Sequence, residues 1–413
     1  MIERQIKERV AHVLRRPGAV LLTGLPRIGR SSLAGAIVRE SADGVLLEAG
    51  SIQAANVRMF CEENAGSLLV IDVVDERSES LVSALIRAAS EVRSAPPRLL
   101  LLPTDSATAF RLKRSLVGQV SSLEVVPIQP DEGVEEGLVQ SEAIGPLADV
   151  AADLSAPSKQ KWDLHEHWLR GGLPQSLLAE DGRASYAWRR AYLEALQCCD
   201  LRPWDIEAGD QPFEILRWLA NSNGQQFDVN RCAVALSMPK NRVRSVIKAL
   251  RDIGLVRLLP NWPAGSNDSM GEYPVPYLRD SGLLHALIEI RDRSELEEHR
   301  LYGHSWEGFA IEALLSAAGS EAVGSYYRDN RKDEIDLVLT FSSRGPVCAI
   351  EFKTNPERSV EPGFWRASER ISATERLVVH TGDASVFRGG DLESAPLLSA
   401  INRIRAISNS FSA

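Results

Sequence analysis

The stretch Ala19-Val-Leu-Leu-Thr23-Gly24-Leu-Pro-Arg-Ile-Gly29-Arg30-Ser31-Ser32 decides the reading of the first third of the chain. A run of strand length, Ala19–Thr23, leads straight into a loop flanked by glycines, and Ser31–Glu40 follows with helical spacing. The pattern G-x-x-x-x-G-K-[ST] is that of a phosphate loop. Its glycines let backbone N–H groups curl inward around phosphate oxygens, and the next helix adds its positive N-terminal end. Gly24, Gly29, Ser31 and Ser32 fit the spacing, and Ser31 stands where a hydroxyl would ligate Mg²⁺. The lysine position holds Arg30, a wide planar fork in place of a compact point charge. A plain glycine turn between any strand and helix is the alternative; the position after a first strand and the number of matching features favour the phosphate loop.

Outward from this loop, further short apolar runs read as strands: Val45–Leu47, Leu68–Val74, Arg98–Leu102 and Leu123–Ile128. Helical patterns such as Ser80–Val92 lie between them. Unbroken apolar strands separated by helices indicate a parallel sheet buried on both faces, an α/β sandwich. Asp72 ends the run Leu68-Leu-Val-Ile71, where an aspartate would hold Mg²⁺ through water. The next residue, where hydrolysing members have a Glu that polarises the attacking water, is Val73. Asp75 and Glu76 either take over that role or are solvated loop charges. Thr104 is either a γ-phosphate sensor or the cap of the next helix.

The bulk numbers bound the rest. The 413 residues allow about two to four domains. Hydrophobic content of 44% and charged content of 25% are those of a soluble globular chain. The net charge of −9 excludes a coat of positive charge but not a local basic patch. The five cysteines are scattered and lack metal-ligand spacing, and bridging the adjacent pair Cys198–Cys199 would be strained. Reduced thiols are expected. A charged N-terminus without an apolar core, and no run of about 18 apolar residues, predict a cytoplasmic protein without a membrane partner.

Residues 130–160 are acidic and rich in Gly, Ala and Ser, and read as a boundary. Beyond them, Phe213–Ala220, Val229–Leu236 and Lys240–Ile253 read as three helices, with Leu255–Leu259 and Tyr273–Leu278 as a hairpin. That order matches a winged helix-turn-helix. Its third helix carries Lys240, Arg242, Arg244 and Lys248, with Arg231 and Arg257 flanking. Such a helix neutralises phosphates in DNA, or is a solvated or protein-facing surface. The last part shows a helix Ser305–Ala317 with Glu307, then strands Ser325–Arg328, Asp333–Thr340 and Pro346–Lys353. Glu351 and Lys353 are two apart, so both point to one face, and Asp336 lies on the preceding strand. Two or three carboxylates beside a lysine can bind Mg²⁺ and a scissile phosphate and lower the pKa of a metal-bound water. The alternative is a cross-strand ion pair holding a sheet edge.

Together these residues resemble the prokaryotic AAA-type P-loop ATPases that carry a C-terminal restriction-endonuclease-like domain. The resemblance spans nearly the whole chain, through Gly24–Ser32, Asp72, Gly171-Gly-Leu-Pro174, Tyr277-Leu-Arg-Asp280, Gly303-His-Ser-Trp-Glu307, Glu334-Ile-Asp336 and Glu351-Phe-Lys353. It implies a P-loop domain at 1–150, a helical and winged-helix part at 151–290, and a nuclease-like domain at 291–413. It implies that the sensor strand lies between the phosphate-loop strand and the strand ending in Asp72. It points to ATP and Mg²⁺ at Gly24, Gly29, Arg30, Ser31, Ser32 and Asp72, and to catalysis at Glu307, Asp336, Glu351 and Lys353, with Asp336 and Glu351 on metal. Arg30, Val73 and Gly118-Gln119 depart from the family pattern, all in the nucleotide machinery, so weak or lost hydrolysis is expected. The expectation is therefore an ATP binder joined to a DNA-contacting segment and a nuclease-like domain, with DNA and a protein as further partners. Its rivals are a Mg²⁺-dependent nuclease with a scaffold P-loop domain, and a non-catalytic adaptor binding DNA or protein.

Overall fold

The apolar runs of the first third form a parallel sheet in the computed structural model, which describes residues 4–412 apart from 17, 54–55, 94, 134–162, 199–200, 208–210, 263–273, 321, 342–344 and 388–391. Helix α1 (Ile6–Val13) precedes β1 (Ala19–Thr23); then follow α2 (Arg30–Glu40), β2 (Gly44–Glu48), α3 (Val57–Glu63), β3 (Leu68–Val74), α4 (Glu79–Glu91), β4 (Arg98–Pro103), α5 (Ser106–Ser115) and β5 (Val120–Glu124). The five strands pair in the order β2-β3-β4-β1-β5, all parallel. Every residue of β1 is buried, as a strand covered on both faces requires. Leu69 and Ile71 of β3 and Leu99 and Leu101 of β4 meet Val82, Leu85 and Ile86 of α4 in one core. Strand β4 thus lies between the loop-bearing β1 and the Asp72-bearing β3, the order the resemblance implies. This is a P-loop-like core.

The fifth strand differs from expectation. The apolar pattern places it over Leu123–Ile128, but pairing with β1 runs from Ala19↔Val120 to Thr23↔Glu124. Beyond Thr23 the neighbouring chain turns into the glycine loop, so Val125 makes one last bond to the Thr23 carbonyl and the ladder stops.

The described residues divide into two compact units: 1–128 with 198–210 and 252–254, and 129–197 with 211–251 and 255–413. The expected boundary at 150/151 lies outside the described residues. The expected boundary at 290/291 runs through the second unit, where Trp168, Leu259 and Tyr277 share one core with Trp306, Ile311, Leu337 and Ile350.

That second unit begins with α6 (Leu164–Arg170), α7 (Pro174–Leu177), α8 (Gly182–Leu196), α9 (Pro212–Asn221), α10 (Val229–Ala235) and α11 (Lys240–Asp252). An antiparallel pair, β6 (Val256–Leu259) and β7 (Val275–Leu278), follows, then α12 (Ser281–Leu287), α13 (Arg293–Glu298) and α14 (Tyr302–Ala318). A separate C-terminal sheet is built from β8 (Ala322–Arg328), β9 (Glu334–Phe341), β10 (Val347–Lys353), β11 (Glu375–His380), β12 (Val386–Phe387) and β13 (Leu392–Pro396), with α15 (Pro362–Arg370) after β10 and α16 (Leu397–Ser412) last. Its order is β12-β13-β11-β10-β9-β8, mixed parallel and antiparallel. The alternation of side chains along the strands sends Leu337, Leu339 and Ile350 towards α14 and α16. Val338, Ala349 and Val378 meet Phe364 and Ala367 of α15. No helix among the described residues is long and apolar enough to cross a membrane.

Candidate functional site

The glycine loop closes tightly. Gly24 has φ of 142°, and a Cβ there would stand 2.5 Å from the Val125 carbonyl oxygen, so no other residue fits this turn. Gly29 is the N-cap of α2, no side chain caps the helix, and its first turn holds no acid. An N-terminus without a side-chain cap or a first-turn acid suits an anion, and Ser31 and Ser32 are exposed on that same turn. Arg30 takes a course that its type alone does not foretell. Its guanidinium donates from Nη1 to the Pro103 carbonyl at 2.6 Å and from Nη2 to the Thr104 carbonyl at 3.3 Å. The cation of the motif is thereby tied to the end of β4.

Asp72 stands two residues before the end of β3, its carboxylate accepting the Val73 N–H at 2.8 Å. Val73 has φ of 55°, and the register with β4 shifts between Ile71 and Val74. A β-branched residue in that region is strained. Asp75 caps the short turn at 76–78, taking the Arg77 and Ser78 N–H groups at 3.0 Å each, and the Ser78 hydroxyl holds its carboxyl below the usual range. Of the two readings of Asp75, the loop charge is the one its bonds describe. The next helix is capped by Asp105, which accepts from Thr108 N–H at 2.7 Å, and not by Thr104. A cleft of about 520 Å³ is lined by Asp75, Glu76, Arg77, Asp105, Ala107 and Arg111 rather than by the glycine loop.

In the second unit the structure draws together the residues singled out near the C-terminus. The antiparallel register ends at Ile350↔Leu337, which leaves Glu351 and Asp336 as the residues next along each strand. Asp336 accepts the Phe352 N–H at 2.9 Å. Lys353 donates to Glu351 Oε1 at 2.7 Å, while Glu351 Oε2 is buried without a hydrogen-bond partner. Burial, then the charges of Glu351 and Glu307, push the Asp336 carboxyl well above its ordinary value. Burial also raises Glu351, against the pull of Lys353. An orphaned carboxylate oxygen and crowded like charges are features a divalent cation would relieve. Among the described residues, however, no group of three or more His, Cys, Asp or Glu stands ready to hold a metal. Glu307 has other partners: Oε1 accepts from the Tyr277 hydroxyl at 2.5 Å, and Oε2 lies 3.1 Å from His304 Nδ1. Tyr277 and His304 lie in two of the runs quoted for the resemblance, but nothing in residue type or spacing marks them as neighbours of Glu307.

The basic helix α11 is built as an amphipathic rod, with Val243, Val246, Ile247 and Leu250 buried. Lys240, Arg244 and Lys248 are exposed and four apart, one stripe along the helix. Arg242 falls on the opposite side at 100° per residue and is half-buried, so it does not belong to that stripe. Arg257, expected to flank the basic helix, is engaged instead in an ion pair with buried Glu312, which also takes Arg279 at 3.1 Å.

Two family matches bear on the second unit. Residues 161–294 match a domain of unknown function, DUF8612, and residues 302–399 match another, DUF4143. The chain is similar to an uncharacterized protein of Mycobacterium bovis and to one of Mycobacterium tuberculosis, each 28% identical over 391 residues, or 93% of this chain and 81% of the relative. Among solved structures, a Walker-type ATPase of Pyrococcus abyssi overlaps with a TM-score of 0.41 at 14% identity, covering 70% of this chain and 96% of that one. The RuvB Holliday junction branch migration motor of Thermotoga maritima overlaps with a TM-score of 0.26 at 17% identity, covering 65% and 94%. The strand order and the glycine loop, not these overlaps, identify the core as P-loop-like.

Proposed function

We propose that the chain is an ATP-binding, AAA-like protein whose nucleotide site turns over slowly if at all, and whose second unit carries a winged-helix DNA-contacting segment and a metal-dependent, nuclease-like site. The observation that carries the first half is the course of Arg30, bonded to the carbonyls of Pro103 and Thr104 beside a loop with an uncapped helix N-terminus. Phosphate binding is then left to the loop amides around Gly24 and Gly29 and to the first turn of α2. Ser31 and Asp72 would hold Mg²⁺, which supplies neutralisation of charge on the phosphate oxygens. Val73 offers no carboxylate to orient a water.

Arg30→Ala is therefore expected to bind ATP within about threefold of the wild type, a change under 1 kcal/mol. Equilibrium titration with labelled ATP measures it. A loss beyond about tenfold would make Arg30 a direct phosphate ligand.

For the second half, Asp336 and Glu351 would hold a divalent cation, with the Lys353 ammonium beside them to meet the charge that develops on a phosphodiester. The three helices α9 to α11 and the β6–β7 pair have the element order of a winged helix. The winged-helix-like and nuclease-like parts are functional divisions of one unit. Replacing Lys240, Arg244 and Lys248 together by Ala should weaken DNA binding at every sequence and lower the slope of log affinity against log salt by roughly 3. Arg242→Ala should leave that slope unchanged. Fluorescence anisotropy over a salt series distinguishes the two, and an equal effect of both would deny the stripe its role.

A further inference from the structure

A wing that touches only DNA should be a solvent-facing hairpin, and β6–β7 is not one. All four residues of β7 are buried, as are three of the four in β6. Arg257 and Arg279 bond the buried Glu312 of α14. Past β6, the Trp262 N–H donates to the Tyr326 carbonyl at 2.7 Å and the Tyr326 N–H to the Pro260 carbonyl at 2.9 Å, so the chain there extends the edge of the C-terminal sheet at β8. Asn261 Oδ1 accepts the Arg328 N–H at 3.3 Å. A further contact is between Tyr277, 1% exposed, and Glu307.

The two glutamates of α14 are treated differently. Glu312 is buried and neutralised by two arginines, which suffices to anchor the hairpin. Glu307 keeps part of its surface exposed and is held by a phenol and an imidazole. A carboxylate fixed in orientation by a phenol and an imidazole, with no arginine or lysine among the described residues bonded to it, is suited to orienting groups at a neighbouring cation site.

We propose that Tyr277 is a positioning residue of the nuclease-like site, supplied by the β6–β7 hairpin, and that its hydroxyl fixes the Glu307 carboxylate at the margin of the Asp336–Glu351 pair. This rests on the reading of Asp336, Glu351 and Lys353 as a metal-dependent site. Two further facts agree with it. Tyr277 and Trp306, the latter next to Glu307, share one core with Leu337 and Ile350, the neighbours of Asp336 and Glu351, and the charge of Glu307 opposes ionisation of both carboxyls. Burial, then Glu307, pushes the Tyr277 hydroxyl well above its ordinary value, so it remains a donor at neutral pH. The hairpin thus gives the catalytic helix a fixed orientation.

The test is a double-mutant cycle in the full chain with Tyr277→Phe, Glu307→Gln and the pair, read by calorimetric Mn²⁺ titration and by nicking of supercoiled DNA in Mn²⁺. Tyr277→Phe keeps the ring and its packing and removes only the hydroxyl; thermal unfolding reports any structural loss separately. Each single change should weaken Mn²⁺ binding or slow nicking about tenfold, the scale of lost outer-shell partners. The double variant should be no worse than Glu307→Gln alone, because the hydroxyl acts only through the negative charge that Gln lacks. Unchanged Mn²⁺ affinity and nicking in Tyr277→Phe, or losses that add, would overturn the proposal while leaving the metal site intact. A wild-type chain that takes up no Mn²⁺ and nicks no DNA would overturn both.

Discussion

Gly282→Ala is expected to destabilise the second unit by about 3 kcal/mol or more, at the upper end of overpacking costs. A Cβ at Gly282 would lie 2.1 Å from the Arg170 carbonyl oxygen, 2.5 Å from its carbon and 2.9 Å from Arg189 Cδ. Two of these are backbone atoms, which cannot swing aside as a side-chain end can. Nor can α12 retreat, because its first turn is held by a buried polar network. Asp280 caps it through the Leu283 N–H at 2.8 Å and takes the Gly172 N–H at 2.8 Å as well. Arg189, fully buried, donates from Nη1 to the carbonyls of Leu169 at 3.0 Å and Gly282 at 2.9 Å. Shifting the helix would break several of these bonds at once, each leaving a buried group unsatisfied. Gly303→Ala is the matched control: nothing stands within 4 Å of a Cβ there, so it should be neutral or slightly stabilising. Denaturant unfolding of both variants measures the difference, and equal midpoints would mean the α6–α12 approach is looser than described.

Asp336→Asn should lower metal-dependent cleavage by about 100-fold or more while making the chain more stable at neutral pH by about 1 kcal/mol. The two effects share a cause. Burial and the neighbouring Glu351 and Glu307 raise the Asp336 carboxyl well above its ordinary value. A carboxyl whose folded pKa exceeds its unfolded value, near 3.9, favours the folded state less as pH rises from about 4 towards the raised value. The wild type carries that penalty at neutral pH and the amide does not. The advantage of Asp336→Asn should therefore vanish below about pH 4, where both forms are neutral. Mn²⁺ should raise the melting temperature of the wild type more than that of the variant. A variant less stable at pH 7 would make Asp336 a structural ion-pair member instead.

The fold of the first unit was legible because its signal is local. An apolar run of strand length is the same in sequence and in space, and the glycine spacing at Gly24 and Gly29 reports backbone shape directly. What escaped was where long side chains end. Arg30 looks like a phosphate ligand by position, yet its guanidinium reaches carbonyls 73 and 74 residues further on. Arg257 looks like part of a basic patch, but its partner Glu312 is 55 residues away. Arg242 illustrates the helical period: it shares the basic run in sequence, but its 100° steps carry it away from the exposed stripe. Asp336, Glu351 and Lys353 were legible because strand pleat and a short hairpin bring them together with little freedom. Tyr277 was not, because its contact with Glu307 depends on how two separate elements pack. The boundary expected at 290 falls within a unit whose core is shared across it, and a change of local pattern does not report such sharing.

The most direct test is to measure ATP binding and phosphate release by the full chain in Mg²⁺, side by side with Asp72→Asn. Saturable binding at sub-millimolar ATP, weakened in the variant, with turnover far below the roughly 10 s⁻¹ typical of enzymes, is the predicted result. No binding at millimolar ATP, or hydrolysis at an ordinary enzymatic rate, would contradict it.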